Sequence, residues 1–194
     1  MSKILCVGRI KYAPLILAVL LAGCAAPRSH FSVPEKVSFR QQTYVKVTSN
    51  QIDEMQHLLY LPENGSKNPE QWDKGILFFL DKNIARQTLV QRMAFRQSSF
   101  AKQPDMLTKL SIEHNELQSS VIYPPTERYQ NVMLEVTRGR NLDCGYAQIQ
   151  FSDKRTLPKA QIAKKSPNLT AYTKEIADLA LAFMQMTWQI QCKA

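Results

Sequence analysis

Glycine and histidine are scarce in this chain, which holds six glycines and three histidines among its 194 residues. Two of the glycines, Gly8 and Gly23, lie near the N-terminus, so few remain for the rest of the chain. A phosphate-binding loop needs several glycines close together, because its backbone must approach the phosphate. Neither GxGxxG nor GxxxxGKS/T occurs, which excludes the common nucleotide-binding loops.

Motifs of metal and enzyme sites are also missing. The spacings CxxC, HxxxH and HExxH, which supply paired zinc ligands from one segment, do not occur. The serine-nucleophile motif GxSxG is absent as well. Acidic residues are scattered singly along the chain, so the sequence does not identify a pair of carboxylates for acid–base catalysis. These absences favour a non-enzymatic protein without cofactor or metal.

A hydrophobic run long enough to cross a bilayer is absent too. The apolar run at residues 14–22 has about nine residues, whereas a spanning helix needs roughly 20. Lys3, Arg9 and Lys11 precede this run, and no acidic residue does. A basic segment followed by a short apolar core is typical of a cleavable signal peptide. We therefore predict a signal peptide over residues 1–23.

The apolar run ends in Leu21-Ala22-Gly23-Cys24, which resembles the lipobox of bacterial lipoproteins. The resemblance implies cleavage before Cys24, a diacylglycerol on its thiol and further acylation of the new amino terminus. Two or three acyl chains make such an attachment stable. Ala25 stands where lipoproteins retained at the inner membrane carry Asp, which implies the outer membrane, facing the periplasm. The alternative is an ordinary secretory signal with a coincidental cysteine.

The positions of the four cysteines suggest a different role for each part of the chain. Cys6 leaves with the signal peptide and Cys24 carries the lipid, so Cys144 and Cys192 remain as an even pair in an oxidising compartment. We predict a Cys144–Cys192 disulfide that closes a loop of about 48 residues and stabilises the fold by about 3–4 kcal/mol. Two buried free thiols, or a nucleophilic Cys144 with a histidine brought near by the fold, are the alternatives.

The mature chain is predicted to be a tether over residues 24–36 followed by one domain over 37–194. Alternating apolar residues predict a strand over 37–48, whereas 51–61 fits either a helix or a strand. Helical spacing predicts helices over 68–80, with Pro69 at its first turn, and over 84–100. Asn168 is predicted to cap a long C-terminal helix over 169–190.

Period-two alternation predicts strands in the middle of the chain. Two strands are expected around His114-Asn115 within residues 106–123. A β-hairpin is expected from residues 131–137 and 145–152, with 138–143 as its turn. The fold class expected is therefore α+β, with a small antiparallel sheet, packed helices and the long C-terminal helix.

Positive charge is the main chemical bias of the chain, whose net charge is +9. A basic cluster follows the predicted hairpin, and Arg138 and Arg140 are expected at its tip. The candidates for contact with a partner or an anion are Arg138, Arg140, Lys154, Arg155, Lys164 and Lys165. Arg92 and Arg96 share a helix face and are candidates for binding a carboxylate or phosphate. Solvated surface charges are the alternative for each of these residues.

The function expected is that of an outer-membrane lipoprotein, a non-enzymatic accessory or assembly subunit that binds an envelope protein. Contact of the basic cluster with anionic lipid or the cell wall is a further expectation. Nucleic acid is not an expected partner, because the compartment is wrong and the cluster lacks interleaved aromatic residues. The alternatives are an enzyme acting on the cell wall or envelope lipids, and a module binding a small ligand or glycan. A deep pocket holding His57 or His114 beside a carboxylate would favour the enzyme.

Overall fold

The computed structural model describes residues 30–103, 105–157 and 168–193. Its main element is an eight-stranded antiparallel sheet in the order β2-β3-β4-β5-β9-β8-β7-β6. The strands are β2 Lys36–Phe39, β3 Gln42–Ile52, β4 Met55–Pro62, β5 Lys74–Asp81, β6 Leu107–Glu113, β7 Glu116–Tyr123, β8 Asn131–Leu142 and β9 Gly145–Thr156. The mixed α+β class is therefore confirmed, but the sheet is not small and it dominates the fold.

One face of the sheet carries the main hydrophobic core and helix α2, Thr173–Met184. Alternate residues of the central strands point into this core, among them Phe78 of β5 and Ile149 of β9. Phe39, on the edge strand β2, lies 5.3 Å from Phe183 of α2 and 4.9 Å from Phe151 of β9, measured between ring centroids. The sheet therefore curls around the helix.

The predicted disulfide is confirmed. Cys144 and Cys192 are bonded, with their Cα atoms 5.6 Å apart. Cys192 belongs to β10, Gln191–Cys192, which pairs with β1, Phe31–Ser32. Phe31 is buried in the core. The folded domain therefore begins before residue 37, within the segment 24–36 that was predicted to be a tether. The disulfide thus joins the β8–β9 turn to the strand pair that receives the N-terminal segment.

Several local predictions are confirmed. Strands β6 and β7 flank the turn at His114 and Asn115, and both turn residues adopt positive φ angles. The segment 51–61, which fitted either a helix or a strand, forms strand: Gln51 and Ile52 end β3, and β4 begins at Met55. Helix α1 spans Leu89–Phe100, and a capping box between Thr88 and Gln91 places its start later than residue 84.

The predicted helix over 68–80 is wrong. Residues 74–81 form β5, which pairs with β4 on one side and β9 on the other. Ile76, Phe78 and Leu80 of this strand enter the core. A strand that is covered on both faces has a nearly continuous apolar sequence. Such a sequence also matches helical spacing, which explains the wrong prediction. Asn68 accepts a hydrogen bond from the Glu70 backbone N–H through Oδ1, a turn rather than a helix start.

Three boundaries also differ from prediction. The single strand expected over 37–48 is two strands, because Arg40 and Gln41 form a tight turn with φ of 48° and 63°. Asn168 caps a 3-10 helix, Leu169–Tyr172, and α2 after it ends at Met184 instead of residue 190. The β8–β9 hairpin turns at Asp143 and Cys144, since Leu142 pairs with Gly145.

The opposite face of the sheet carries α1 and a smaller apolar cluster around Leu89, Leu117 and Tyr146. The two ends of the sheet also differ. The end that bears His30 and the turns at Asp53-Glu54, His114-Asn115 and Asp143-Cys144 is called the disulfide end. Among the described residues, no helix is long and apolar enough to cross a membrane.

Candidate functional site

A groove of about 570 Å³ lies between α2 and the outer strands β6 and β7. Its helical wall presents Ile176, Ala177, Ala180 and Leu181. Leu181 is 65% exposed, although it is a large apolar residue on a helix that otherwise covers the core. The volume lies within the range of about 300–1,000 Å³ that ligand sites occupy. The groove is therefore the candidate binding site.

The strand side of the groove carries polar side chains beside the apolar Leu107, Ile122 and Val136. Lys109 and Ser111 of β6 and Gln118 and Ser120 of β7 line it. Gln118 lies opposite Ser111 on β6 and opposite Arg138 on β8. The Nε2 atom of Gln118 is buried and has no hydrogen-bond partner among the described residues. A buried donor without a partner carries a free-energy penalty, and this atom is shielded from the groove as well.

Strand β6 forms one rim of the groove and one edge of the sheet. It has seven residues and pairs only with β7 among the described strands. Leu107, Lys109, Ser111 and Glu113 alternate along it and all contact the groove. An edge strand presents unpaired backbone N–H and C=O groups that can pair with another chain. The backbone edge and the groove are thus adjacent parts of one surface.

The placement of Arg138 and Arg140 at a hairpin tip is wrong, because β8 continues through both residues to Leu142. Arg138 is buried and donates from Nε and Nη2 to the two carboxylate oxygens of Glu116, each at 2.8 Å. Its Nη1 also donates to the backbone oxygens of Phe183 and Met186, at 3.1 and 2.6 Å, which satisfies carbonyls at the C-terminus of α2.

Arg140 completes this buried ion cluster. Its Nε donates to Glu116 at 2.5 Å, and its guanidinium lies 4.6 Å from the ring centroid of Trp188. Burial acts to raise the pKa of Glu116, but hydrogen bonds and charges from Arg138 and Arg140 outweigh it and hold that pKa below its usual value. The two arginines therefore compensate the charge of an internal carboxylate, and Arg138 fixes the C-terminus of α2 to the sheet.

The basic candidates Lys154 and Arg155 lie at the end of β9 remote from the disulfide. Lys154 Nζ lies 3.6 Å above the ring of Trp72. Arg155 forms ion pairs with Asp153 and Glu175, so its charge is largely compensated. Lys164, Lys165 and Cys24 lie outside the described residues.

Polar side chains on the opposite face of the sheet form a second cluster. Burial raises the pKa of Glu135 to about 7, although a hydrogen bond from the Tyr123 hydroxyl and the charge of Arg96 lower it in part. Gln150 Nε2 donates to the other carboxylate oxygen at 2.9 Å. The alternation of apolar and polar residues predicted that these residues lie on strands. It did not predict the cluster, because the cluster depends on the register of β7, β8 and β9.

The candidates Arg92 and Arg96 both bind groups of this chain. Arg92 donates to Asp81 at 2.7 Å and lies 4.0 Å from the ring centroid of Tyr146. Arg96 donates to Thr137 at 3.1 Å and also contacts Gln148. The shared helix face was therefore correct, and it serves to dock α1 on the sheet.

Features that would favour an enzyme do not come together in the groove. His57 is exposed with its ring 4.9 Å from that of Phe79, and His114 lies in the β6–β7 turn. Neither histidine lines the groove. The spacing SxxK places a serine nucleophile beside a lysine in some enzymes. Ser99 and Lys102 have this spacing, but the Ser99 hydroxyl donates to the Phe95 carbonyl. Within the described ranges, no three His, Cys, Asp or Glu side chains cluster as metal ligands.

A protein-family model matches residues 31–188, and the chain belongs to that family. An uncharacterized protein of Haemophilus influenzae is 26% identical over 191 residues, which cover 92% of this chain and 96% of the relative. The similarity therefore extends over nearly the full length of both proteins. No solved structure matches the chain.

Proposed function

We propose that this protein is a lipoprotein of the bacterial envelope, acylated at Cys24 and held at the outer membrane with its domain in the periplasm. Its domain acts as a non-enzymatic accessory or assembly subunit that binds an envelope protein. The partner contributes an extended segment that lies along β6 and fills the groove. The groove beside an unpaired sheet edge is the observation that carries this proposal.

The Cys144–Cys192 disulfide supports the compartment. Structural disulfides persist in oxidising compartments such as the periplasm and are rare in the cytosol. A secreted domain with a lipobox-like leader and an internal disulfide has two consistent signs of export.

Addition of a partner strand to the sheet would use both unusual features of the site, the open edge of β6 and the apolar wall of the groove. The partner backbone would pair with the open edge of β6, and its alternate side chains would enter the groove. Apolar side chains suit the wall formed by Ala177, Ala180 and Leu181. We therefore expect the partner segment to alternate apolar and polar residues.

The partner site is tested by filling the groove. Ala177 is exposed and lines the groove, so Ala177→Trp occupies the space while leaving the core intact. Lys174→Trp is the matched control, because Lys174 lies on the same helix but not in the groove. Both acylated full-length variants are tagged, solubilised from membranes in detergent and used for affinity purification. Proteins recovered with the control and lost with A177W are identified by mass spectrometry.

Direct binding then decides between the possible occupants. A peptide from the identified partner should bind at least tenfold more weakly to A177W than to K174W, and Lys109 should cross-link to it. Equal binding by both variants would refute the partner site. If native mass spectrometry instead finds a bound amphiphile in K174W that is absent from A177W, with equal partner recovery, the groove is a small-ligand site.

The anchor is tested separately by Cys24→Ala. We expect the unaltered chain to fractionate with membranes and its Cys24 peptide to carry acyl chains by mass spectrometry. The variant should lose the acyl mass and fail to reach the outer-membrane fraction. An unmodified Cys24 in the native protein would show that the lipoprotein assignment is wrong.

A further inference from the structure

Three large apolar side chains are exposed at the disulfide end, two of them at the tip of the β3–β4 hairpin and one in the neighbouring loop after β5. Ile52 is 61% exposed, Ile84 66% and Met55 37%. Ile52 and Met55 are paired across the β3–β4 turn. The Lys82 backbone N–H donates to the Glu54 carbonyl at 3.3 Å, which holds this turn beside the loop that carries Ile84. Single exposed apolar residues are ordinary, but an adjacent group on two loops indicates a contact surface.

The N-terminal segment enters the domain at the same place. His30 lines a small cavity together with Gln51, Glu54, Gln56 and Lys82. The backbone oxygen of His30 accepts from the Lys193 N–H at 2.9 Å, next to the β1–β10 pair. This entry point therefore lies next to the β3–β4 turn.

The length of chain before His30 limits how far this end can lie from the anchor. Residues 25–29 separate His30 from Cys24, and the six steps of extended chain between the two Cα atoms reach at most about 20 Å. The opposite end is farther away, because twelve residues of β9 extend for about 40 Å. An acylated Cys24 would thus hold the disulfide end next to the bilayer.

We infer that the disulfide end docks on the lipid surface through Ile52, Met55 and Ile84. The inference rests on the proposed anchor at Cys24. Asp53 and Glu54 separate Ile52 from Met55, whereas Lys82 and Arg86 lie in the neighbouring loop. Because the charges are mixed, the surface fits zwitterionic headgroups better than strongly anionic ones. Insertion of the apolar side chains supplies the contact.

Docking in this orientation has a consequence for the basic residues. Lys154 and Arg155 lie at the opposite end of β9 and point away from the anchoring bilayer. For these two residues, contact with the lipids that hold Cys24 is therefore not expected, and they face the periplasm instead.

The two tryptophans of the chain provide a test of the orientation. Trp188 lies near the disulfide end, where its Nε1 donates to Ile190 beside β10, and Trp72 lies at the opposite end beside Lys154. The acylated full-length protein and its Trp72→Phe variant are reconstituted in phosphatidylethanolamine–phosphatidylcholine vesicles that contain a dansyl-labelled headgroup. Energy transfer to dansyl in W72F reports Trp188, and the difference from the unaltered protein reports Trp72.

Transfer from Trp188 should be at least twofold more efficient than transfer from Trp72. The change I52S/I84S, made in both backgrounds, should remove most of that difference. The control F95S/Y129S alters two exposed aromatic residues outside the proposed docking surface, on α1 and in the β7–β8 loop, and should preserve it. Equal transfer from both tryptophans, or an unaffected difference in I52S/I84S, would overturn the docking surface.

Failure of the anchor gives a different result. A chain whose Cys24 is unmodified and that does not sediment with vesicles refutes the proposed lipoprotein and this inference with it. A chain that is acylated and sediments, but transfers energy equally from both tryptophans, refutes the docking surface alone.

Discussion

Arg138 and Glu116 form a bidentate ion pair inside the domain, with Nε–Oε2 and Nη2–Oε1 distances of 2.8 Å. Both side chains are almost fully shielded from solvent, with exposed fractions of 6% and 3%. The pair joins neighbouring strands β7 and β8, and the same guanidinium binds carbonyls at the end of α2. One arginine therefore connects the strand side of the groove to its helical wall.

Replacing Arg138 should be strongly destabilising. Arg138→Ala leaves Arg140 as the remaining ion partner of Glu116, and the carbonyls of Phe183 and Met186 lose their hydrogen-bond donor. We therefore expect the free energy of unfolding to fall by about 3–5 kcal/mol. Arg140→Ala should cost about 1 kcal/mol, because Arg140 is partly exposed and solvent screens its charge. Urea unfolding of both variants measures this. Equal losses would show that the buried pair does not have this role.

Glu135 should make stability fall as pH rises. Its pKa is raised to about 7 in the native state, from 4.5, so between these values the native protein holds a proton that the unfolded chain has released. This contribution is complete below about pH 4.5 and is lost as the pH rises through 7, by roughly 3 kcal/mol at most.

The measurement is urea unfolding of the unaltered protein and of Glu135→Gln at intervals from pH 5 to 8. The neutral amide should remove the part of the pH dependence that Glu135 causes. Tyr123→Phe deletes a hydroxyl that donates to the carboxylate and lowers its pKa, so it should raise the pKa of Glu135 further and shift the end of the stability loss to higher pH. A wild-type and E135Q difference that does not change with pH would contradict the prediction.

Cleaving the disulfide should destabilise the domain and loosen its N-terminal strand. The double variant C144A/C192A should lose about 3–4 kcal/mol, because a loop of 48 residues is no longer closed in the unfolded chain. Amide hydrogen exchange should increase at residues 31–32 and 191–192, which form the β1–β10 pair. Peptide mapping without reductant should show the Cys144–Cys192 link, and two alkylatable thiols would disprove it.

Gly139 should not tolerate a side chain. A Cβ atom there would lie 2.0 Å from the Tyr146 hydroxyl oxygen and 2.6 Å from Cζ. Gly139→Ala should therefore cost roughly 2–3 kcal/mol through overpacking. Gly65→Ala is the control, since its Cβ would meet Pro62 at an ordinary 3.5 Å. Thermal unfolding compares the two, and similar melting temperatures would contradict the close packing of Tyr146 on Gly139.

Local patterns predicted elements well where one signal dominated. Alternation identified β6, β7 and the β8–β9 hairpin, and the apolar face of 84–100 identified α1. The same reasoning failed at 68–80, because an apolar strand between two others has no polar side to establish a period of two. It also missed the turn at Arg40 and Gln41, since neither residue is a usual occupant of positive φ.

The candidate site was hardly predictable. Arg138 and Arg140 were predicted to contact a partner or an anion at a hairpin tip, because Gly139 between them resembled a turn, whereas Arg138 is buried against Glu116. The glycine is instead a strand position that makes room for Tyr146. Nothing in the sequence related Arg138 to Glu116, or α2 to β6, because those relationships depend on which strands are neighbours.

The sequence by itself determined the pairing of Cys144 with Cys192, the alternating strands and the absence of common nucleotide-binding loops, and it predicts lipidation at Cys24. These features depend on residue type and on spacing along a few residues. Only the tertiary structure decided that Arg138 is buried, that Glu135 lies within a polar cluster and that a groove opens beside β6. Each depends on the register between strands distant in sequence, and that register places side chains together only when the sheet has formed.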